Sequence, residues 1–232
     1  MLVFTILARD KQRTLPQYLN CLLNQTYPKS LIHLYIKTND NSDTTADILK
    51  QFIKDHGDSY ASVYYCDKDI KHDMTRHHEW NTERFKILGK IRQDSIDYAI
   101  SLGVDYFVAD CDNFIEPCTL TEMMKIRHFG VISPLLVSGT LYSNYHVKAD
   151  DHGYFAGSDL YTPIYYKELR GCIEVDVVHC TYFINNEILK HMCYDDGSNK
   201  HEYVIFSNTL RNKKIPQYID NRNYYGNLTF DV

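Results

Sequence analysis

The chain has 232 residues, 44% of them hydrophobic and 24% charged, which is enough for one sizeable core in an ordinary globular protein. Its 25 basic and 30 acidic side chains leave a formal charge of −5, so there is no global basic field for nucleic acid, and phosphate binding needs a local cationic patch. Seven cysteines, an odd number without a CxxC pair, disfavour a zinc knuckle or a complete disulfide framework.

Met1 to Arg9 has no basic leader and too short an apolar run for a signal peptide, so Leu2 to Ala8 reads as the first core strand. Leu15, Leu19, Leu22 and Leu23 then recur at helical spacing until Pro28. Leu31 to Lys37 is the next strand. Asp43 or Thr44 can cap a helix carrying Ile48, Leu49, Phe52 and Ile53, which Gly57 ends. A third strand, Ala61 to Tyr65, precedes a polar, His-rich loop from Cys66 to Glu79. A long helix from Thr82 to Leu102 carries Phe85, Leu88, Ile91, Ile96 and Ala99, and the apolar strand Tyr106 to Ala109 follows. Strand and helix alternate throughout this half, the pattern of a mostly parallel sheet with crossover helices. The second half is less regular. Val131 to Val137 and Val175 to Ile184 read as strands, Tyr142 to Phe155 as a loop or hairpin turning at Asp150-Asp151-His152-Gly153, and Asn186 to Met192 and His201 to Arg211 as helices. No window approaches eighteen uninterrupted apolar residues, so no membrane span is expected.

The Tyr106 to Ala109 strand ends in Asp110-Cys111-Asp112-Asn113, which places two carboxylates where the strand emerges. Unneutralised at about 4 Å, they repel by roughly 4 kcal/mol at an effective dielectric of about 20. A hard divalent cation turns that repulsion into binding and draws phosphate oxygens to itself. At the carboxyl edge of a central strand the pair points to a metal-bridged nucleotide diphosphate, against the alternative of a plain Asp/Asn turn. The 20 tyrosines suit sugar or peptide surfaces, and equally suit half-buried strand positions.

Ordered motifs sharpen this reading. They are Ile6-Leu7-Ala8-Arg9, Leu15-Pro16, Tyr18-Leu19, Tyr27-Pro28-Lys29-Ser30, Asp43 with Thr45, Trp80 with Thr82 and Arg84-Phe85, and Lys90-x-Arg92-Gln93. Asp110-x-Asp112-Asn113-Phe114, Leu141-Tyr142-Ser143-Asn144, Gly171-Cys172, Val178-His179, Asn221-Arg222 and Tyr225-Gly226 complete the set. In these the chain resembles the collagen hydroxylysine galactosyltransferases of glycosyltransferase family 25, in their amino-terminal domain, and that domain's relatives in large viruses.

The resemblance implies a single α/β domain of the GT-A fold, with residues 1–115 as the nucleotide-binding half and 116–232 as the acceptor-binding half. It implies transfer of glucose or galactose from a UDP-sugar, with Mn²⁺ or Mg²⁺, to hydroxylysine or galactosyl-hydroxylysine of a collagen-like protein. Asp110 and Asp112 would hold the metal, with the Cys111 backbone near the ribose. Ala8, Arg9, Asn39 and Asp40 sit where uracil and ribose lie in this fold; for Asn39 to Thr45 the alternative is a polar turn and helix cap. Arg84, Lys90 and Arg92 offer cations to phosphate or uracil, Arg92 and Lys90 foremost because both belong to the matched segment. Trp80 suits either a hydrophobic staple or sugar stacking.

On the acceptor side, Glu202 is the candidate general base, unless it only complements the dipole of its helix. His179 would touch the donor sugar or β-phosphate, or be a satisfied core histidine. Asp195 and Asp196 are further acidic candidates, and Tyr142 and Asn144 are implied hexose contacts. One departure stands out: Tyr224 occupies the place of a His that precedes Tyr-Gly in the family and is often a third metal ligand. His72-Asp73 and His77-His78 lack zinc spacing and read as polar loop. The expected compartment is the host cytoplasm or a virus-associated one, and a homodimer is left open. Two other functions compete with transfer. One is a silent UDP-sugar-binding or collagen-binding module. The other, a nucleotidyltransferase, lacks its glycine-rich loop in Arg9-Asp10-Lys11-Gln12-Arg13.

Overall fold

The computed structural model describes residues 1–70 and 81–229, so Trp80 and the His72-Asp73 and His77-His78 clusters lie outside the described residues. The first half follows the expected alternation: β1 (Leu2–Ala8), α1 (Leu15–Leu23), β2 (Ile32–Thr38), α2 (Thr45–His56), β3 (Ser62–Cys66), α3 (Thr82–Leu102) and β4 (Asp105–Ala109). At the start of α2 it is Asp43 that acts, its Oδ1 accepting from Thr45 N–H at 2.9 Å and its Oδ2 from Gln12 N–H at 3.0 Å. Thr44 makes no side-chain cap. Asn81 caps α3 by accepting from Arg84 N–H, and Gly103, at φ 65°, ends it in the left-handed conformation.

Beyond β4 come β5 (Asn113–Ile115), α4 (Thr119–Lys125), β6 (Val131–Pro134), β7 (Tyr145–His146), β8 (Lys148–Ala149) and β9 (Phe155–Ala156). Then follow α5 (Tyr161–Tyr165), β10 (Cys172–Val175), β11 (Val177–Val178), β12 (Thr181–Ile184), α6 (Asn186–Leu189), α7 (Glu202–Asn212), β13 (Gln217–Asp220) and β14 (Gly226–Leu228). Two expected strands are corrected here. Val131 to Val137 leaves the main sheet after Pro134, because Leu136 N–H donates to Asn144 Oδ1 at 3.0 Å and Val137 N–H to the Gly226 carbonyl at 3.2 Å. Val175 to Ile184 is three pieces, broken at Cys180, whose φ of 62° no extended strand tolerates. The expected helix Asn186 to Met192 is shorter, ending at Leu189.

Eight strands form one sheet in the order β10-β13-β6-β12-β4-β1-β2-β3. The pairs β1–β2, β2–β3, β1–β4 and β6–β13 are parallel, while β12 enters antiparallel between β4 and β6, and β10 pairs antiparallel with β13. Both faces are covered. Phe4, Ile6, Phe107 and Ala109 pack with Leu15 and Leu22 of α1 and Phe52 of α2 on one side. Val3, Tyr106 and Val108 pack with Ile96 and Ala99 of α3 and Phe206 of α7 on the other. Burial on both faces is why these strands read as continuous apolar runs.

Candidate active site

A cavity of about 830 Å³ opens at the carboxyl edge of β1 and β4, where α/β sheets place ligands. Its floor is the turn after β4. Asp110 N–H donates to the Cys180 carbonyl at 3.0 Å and Asn113 N–H to the Asp110 carbonyl at 2.9 Å, so the chain reverses within three residues. Both Asp110 and Asp112 line the cavity as a result. Cys111 points the other way into the core, its thiol donating to the Leu7 carbonyl at 3.4 Å, and burial there pushes its pKa up. The Tyr18 hydroxyl on the Ala109 carbonyl (2.9 Å) and Asn113 Nδ2 on Thr181 Oγ1 (2.8 Å) hold the turn from both flanks.

Each carboxylate meets a cation from another element. Arg92, buried on α3, gives Nη2 to Asp110 Oδ1 at 2.8 Å and directs Nε towards Glu202 Oε1 of α7 at 3.5 Å. Lys11, on the loop after β1, donates to Asp112 Oδ2 at 2.7 Å. Even so, burial first and the Asp110 charge second raise the Asp112 carboxyl above its ordinary range, against the pull of Lys11. Glu202 Oε2 is buried without a hydrogen-bond partner, an arrangement that leaves one strong acceptor in the cavity wall unsatisfied. In all, Arg9, Lys11, Arg84 and Arg92 line the cavity with Asp10, Asp110, Asp112 and Glu202, four cations balancing four carboxylates.

The model of the family described as "Glycosyltransferase family 25, N-terminal domain" matches residues 1–232. The chain belongs to glycosyltransferase family 25. It is 27% identical over 241 residues to "Inactive glycosyltransferase 25 family member 3" of Mus musculus, covering 99% of this chain and 41% of the mouse protein. It is also 27% identical to "Procollagen galactosyltransferase 1-A" of Xenopus laevis, over 97% of this chain and 39% of the frog protein. The chain therefore spans about two fifths of the length of these relatives. Among solved structures, S. aureus TarS 1-349 in complex with UDP-GlcNAc superposes with a TM-score of 0.64 at 13% identity, over 100% of this chain and 59% of that one. GalNAc-T7 with UDP, GalNAc and Mn²⁺ superposes with a TM-score of 0.65 at 13% identity, over 99% and 44%. The fold is GT-A.

In this family 25 domain the cavity collects Asp110, Cys111, Asp112, Arg9, Arg84, Arg92, Tyr142, His179 and Glu202 of the residues that the sequence singled out. Others go elsewhere. Ala8 is buried in the core, and it is its neighbours Leu7 and Arg9 that reach the cavity. Asn39 and Asp40 do not line it: Asn39 Nδ2 donates to Asp40 Oδ2 (2.6 Å) and Asp40 N–H to Asp69 Oδ1 (2.8 Å), which ties the end of β2 to the segment after β3. Lys90 is exposed on α3, because a helix turns through two residues onto another face before Arg92. Asn144 is wholly buried, its amide spent on Leu136, Ser133, Pro134 and Thr181, so it braces the sheet edge and offers nothing to a hexose. Asp195 and Asp196 are exposed and accept from Gly197 and Ser198 N–H within their own turn. Tyr224, half exposed with Lys167 Nζ 5.9 Å from its ring centroid, is not part of the cavity wall.

Lys11, a cation of the cavity wall, carried no signal in the sequence beyond its place in the Arg9-Asp10-Lys11-Gln12-Arg13 loop. An aromatic wall was hardly more legible. His146 of β7, Tyr154 and Phe155 at the start of β9, and His201 and Tyr203 at the start of α7 are residues brought together only by the fold. The excess of tyrosine was their one trace in the sequence.

Whether this family 25 site fits a divalent cation rests on its donors. Asp110 and Asp112 supply hard carboxylate oxygens at one spot, and after burial it is the Asp110 charge that raises Asp112, so the two carboxylates feel each other as a shared cation site requires. Among the described residues no group of three His, Cys, Asp or Glu side chains is placed to hold a metal. The residues fit a cation held by two carboxylates, its remaining positions left for ligand oxygens and water.

Proposed function

We propose that this chain transfers a hexose, glucose or galactose, from a UDP-sugar to hydroxylysine or galactosyl-hydroxylysine of a collagen-like protein, with Mn²⁺ or Mg²⁺. The observation that carries the reading is the cavity wall in which Asp110 and Asp112 stand beside Arg92, Lys11 and Glu202, and whose four cations and four carboxylates balance in formal charge. A diphosphate dianion entering with one divalent cation leaves that balance intact, whereas either alone would upset it. The name of the Xenopus laevis relative, a procollagen galactosyltransferase, supports the acceptor.

Asp110 and Asp112 would hold the cation, which supplies Lewis-acid stabilisation of the departing diphosphate. Arg92 fixes Asp110 and Glu202 relative to each other, and its charge, with those of Lys11 and Arg84, favours the anionic leaving group. The unpartnered Glu202 Oε2 accepts the hydroxyl proton of the acceptor. The acceptor oxygen bonds to C1 of the donor hexose as the C1–O bond to UDP breaks, UDP leaving with the electron pair. A silent binding module is the second reading. The name "Inactive glycosyltransferase 25 family member 3" on a relative covering 99% of this chain supports it.

The deciding experiment is UDP release from a panel of UDP-sugars, with and without a hydroxylysine-containing collagen peptide and with Mn²⁺ or EDTA. Peptide-stimulated release that Asp112→Ala abolishes supports transfer. UDP-sugar binding with no turnover of any donor establishes the binding module instead.

A further inference from the structure

The aromatic wall carries an inference that rests on the transfer just proposed and narrows its acceptor. His146 and His179 are buried, their ring centroids 5.0 Å apart, yet His146 Nδ1 and His179 Nε2 have no hydrogen-bond partner. Around them stand Phe155, 5.3 Å from His146 and edge-on to it, Tyr203, 5.5 Å from His179, and Tyr142, 5.8 Å from His179. All five line the cavity. An apolar ligand would leave both imidazole nitrogens unsatisfied, and an ion would find no opposite charge among these five side chains. A ligand with an apolar face and a rim of neutral hydroxyls satisfies both demands: rings for its face, nitrogens for its hydroxyls.

We propose that Tyr142, His146, Phe155, His179 and Tyr203 form a subsite for a hexose ring already carried by the acceptor. Exposure sets the direction of entry. Phe155 is 54% and Tyr142 41% exposed although both line the cavity, so this end opens to solvent, as an incoming acceptor needs. The donor end is the Asp110–Asp112 floor, reached through Cys180, which follows His179 directly and whose carbonyl receives the Asp110 N–H. Burial also holds both imidazoles neutral, His179 pushed down to about 3 and His146 to about 4, so they meet hydroxyls as neutral donors or acceptors. In the transfer, a hydroxyl of the bound ring takes the role given above to the acceptor hydroxyl: its oxygen bonds to donor C1, UDP departs and the proton passes to Glu202.

Ligand-observed NMR with methyl β-galactoside and methyl β-glucoside, in the presence of saturating UDP-hexose and Mn²⁺, tests the subsite. The expected result is binding of a free hexoside while the donor is bound, weakened at least about tenfold in Phe155→Ala and in His146→Ala. Phe155→Ala removes a half-exposed ring, so its fold should survive, and the affinity for UDP alone serves as its control. Displacement of the hexoside by UDP-hexose would show that the wall holds the donor sugar and would overturn the proposal. So would hexoside binding unchanged in both variants, or none at all in a protein that binds UDP-hexose. Failure to bind UDP-hexose would instead refute the transfer reading itself.

Discussion

Lowering the pH should destabilise this protein through two particular rings. In an unfolded chain both imidazoles titrate near 6.5, whereas burial holds His179 down to about 3 and His146 to about 4 in the fold. After burial, the neighbouring His146 and then the Arg92 charge act on His179, and the Arg211 charge acts on His146, all in the same direction. A depressed folded pKa means that the unfolded state binds more protons, so the stability present above about pH 6.5 is lost as the pH falls towards the folded values. Between about pH 7 and about pH 5 each ring should remove about 2 kcal/mol, and the pair about 4 kcal/mol, a large share of a typical 5–15 kcal/mol stability. His33 and His201, also lowered by burial, act with the same sign, while the raised Asp112 opposes them. Urea unfolding at the two pH values measures the loss in wild type, in His146→Gln and His179→Gln, and in the double variant. Each single variant should recover a part of the pair's share of the pH effect, and His146→Gln the larger part, because His146 is also a cause of the His179 depression. Equal pH dependence in wild type and double variant would refute the reasoning, and with it the neutrality on which the hexose subsite depends.

Three other outcomes follow from the same geometry. Glu202→Gln should lower the transfer rate by roughly 10² to 10⁴-fold with little change in UDP affinity, measured by single-turnover kinetics and calorimetry; near-wild-type turnover would leave Glu202 as an α7 helix-start residue. Arg92→Met leaves Asp110 and Glu202 without their shared cation and should destabilise the fold by about 3–5 kcal/mol in urea unfolding, against less than about half of that for a surface lysine such as Lys90→Met. Gly226→Ala should destabilise by at least about 2 kcal/mol, because φ there is 125° and an added Cβ would fall onto the Phe114 carbonyl oxygen; a Tm within a degree of wild type would refute the β5–β14 contact.

Much of the first half was legible because its signals are local. Apolar runs buried on both faces, helical spacing between them and capping residues such as Asp43 and Gly57 are properties of consecutive residues, so β1 through β4 fall within a residue or so of expectation. Asp110 and Asp112 were legible for the same reason, as a change from apolar to acidic at one strand end. The insertion of β12 between β4 and β6 was not, since nothing in Thr181 to Ile184 states which strand it will pair with. That pairing is decided by long-range closure of the sheet, and with it the Cys180 kink that brings His179 to the cavity. Helix phase, another tertiary matter, separates buried Arg92 from exposed Lys90, and burial alone distinguishes the bracing Asn144 from the cavity-lining Tyr142. The chain's own order thus determined the parallel half of the sheet and the acidic floor. Only the packing of distant segments decided which cations meet that floor and which aromatic rings stand over it, because contacts between residues far apart in sequence leave no period to read.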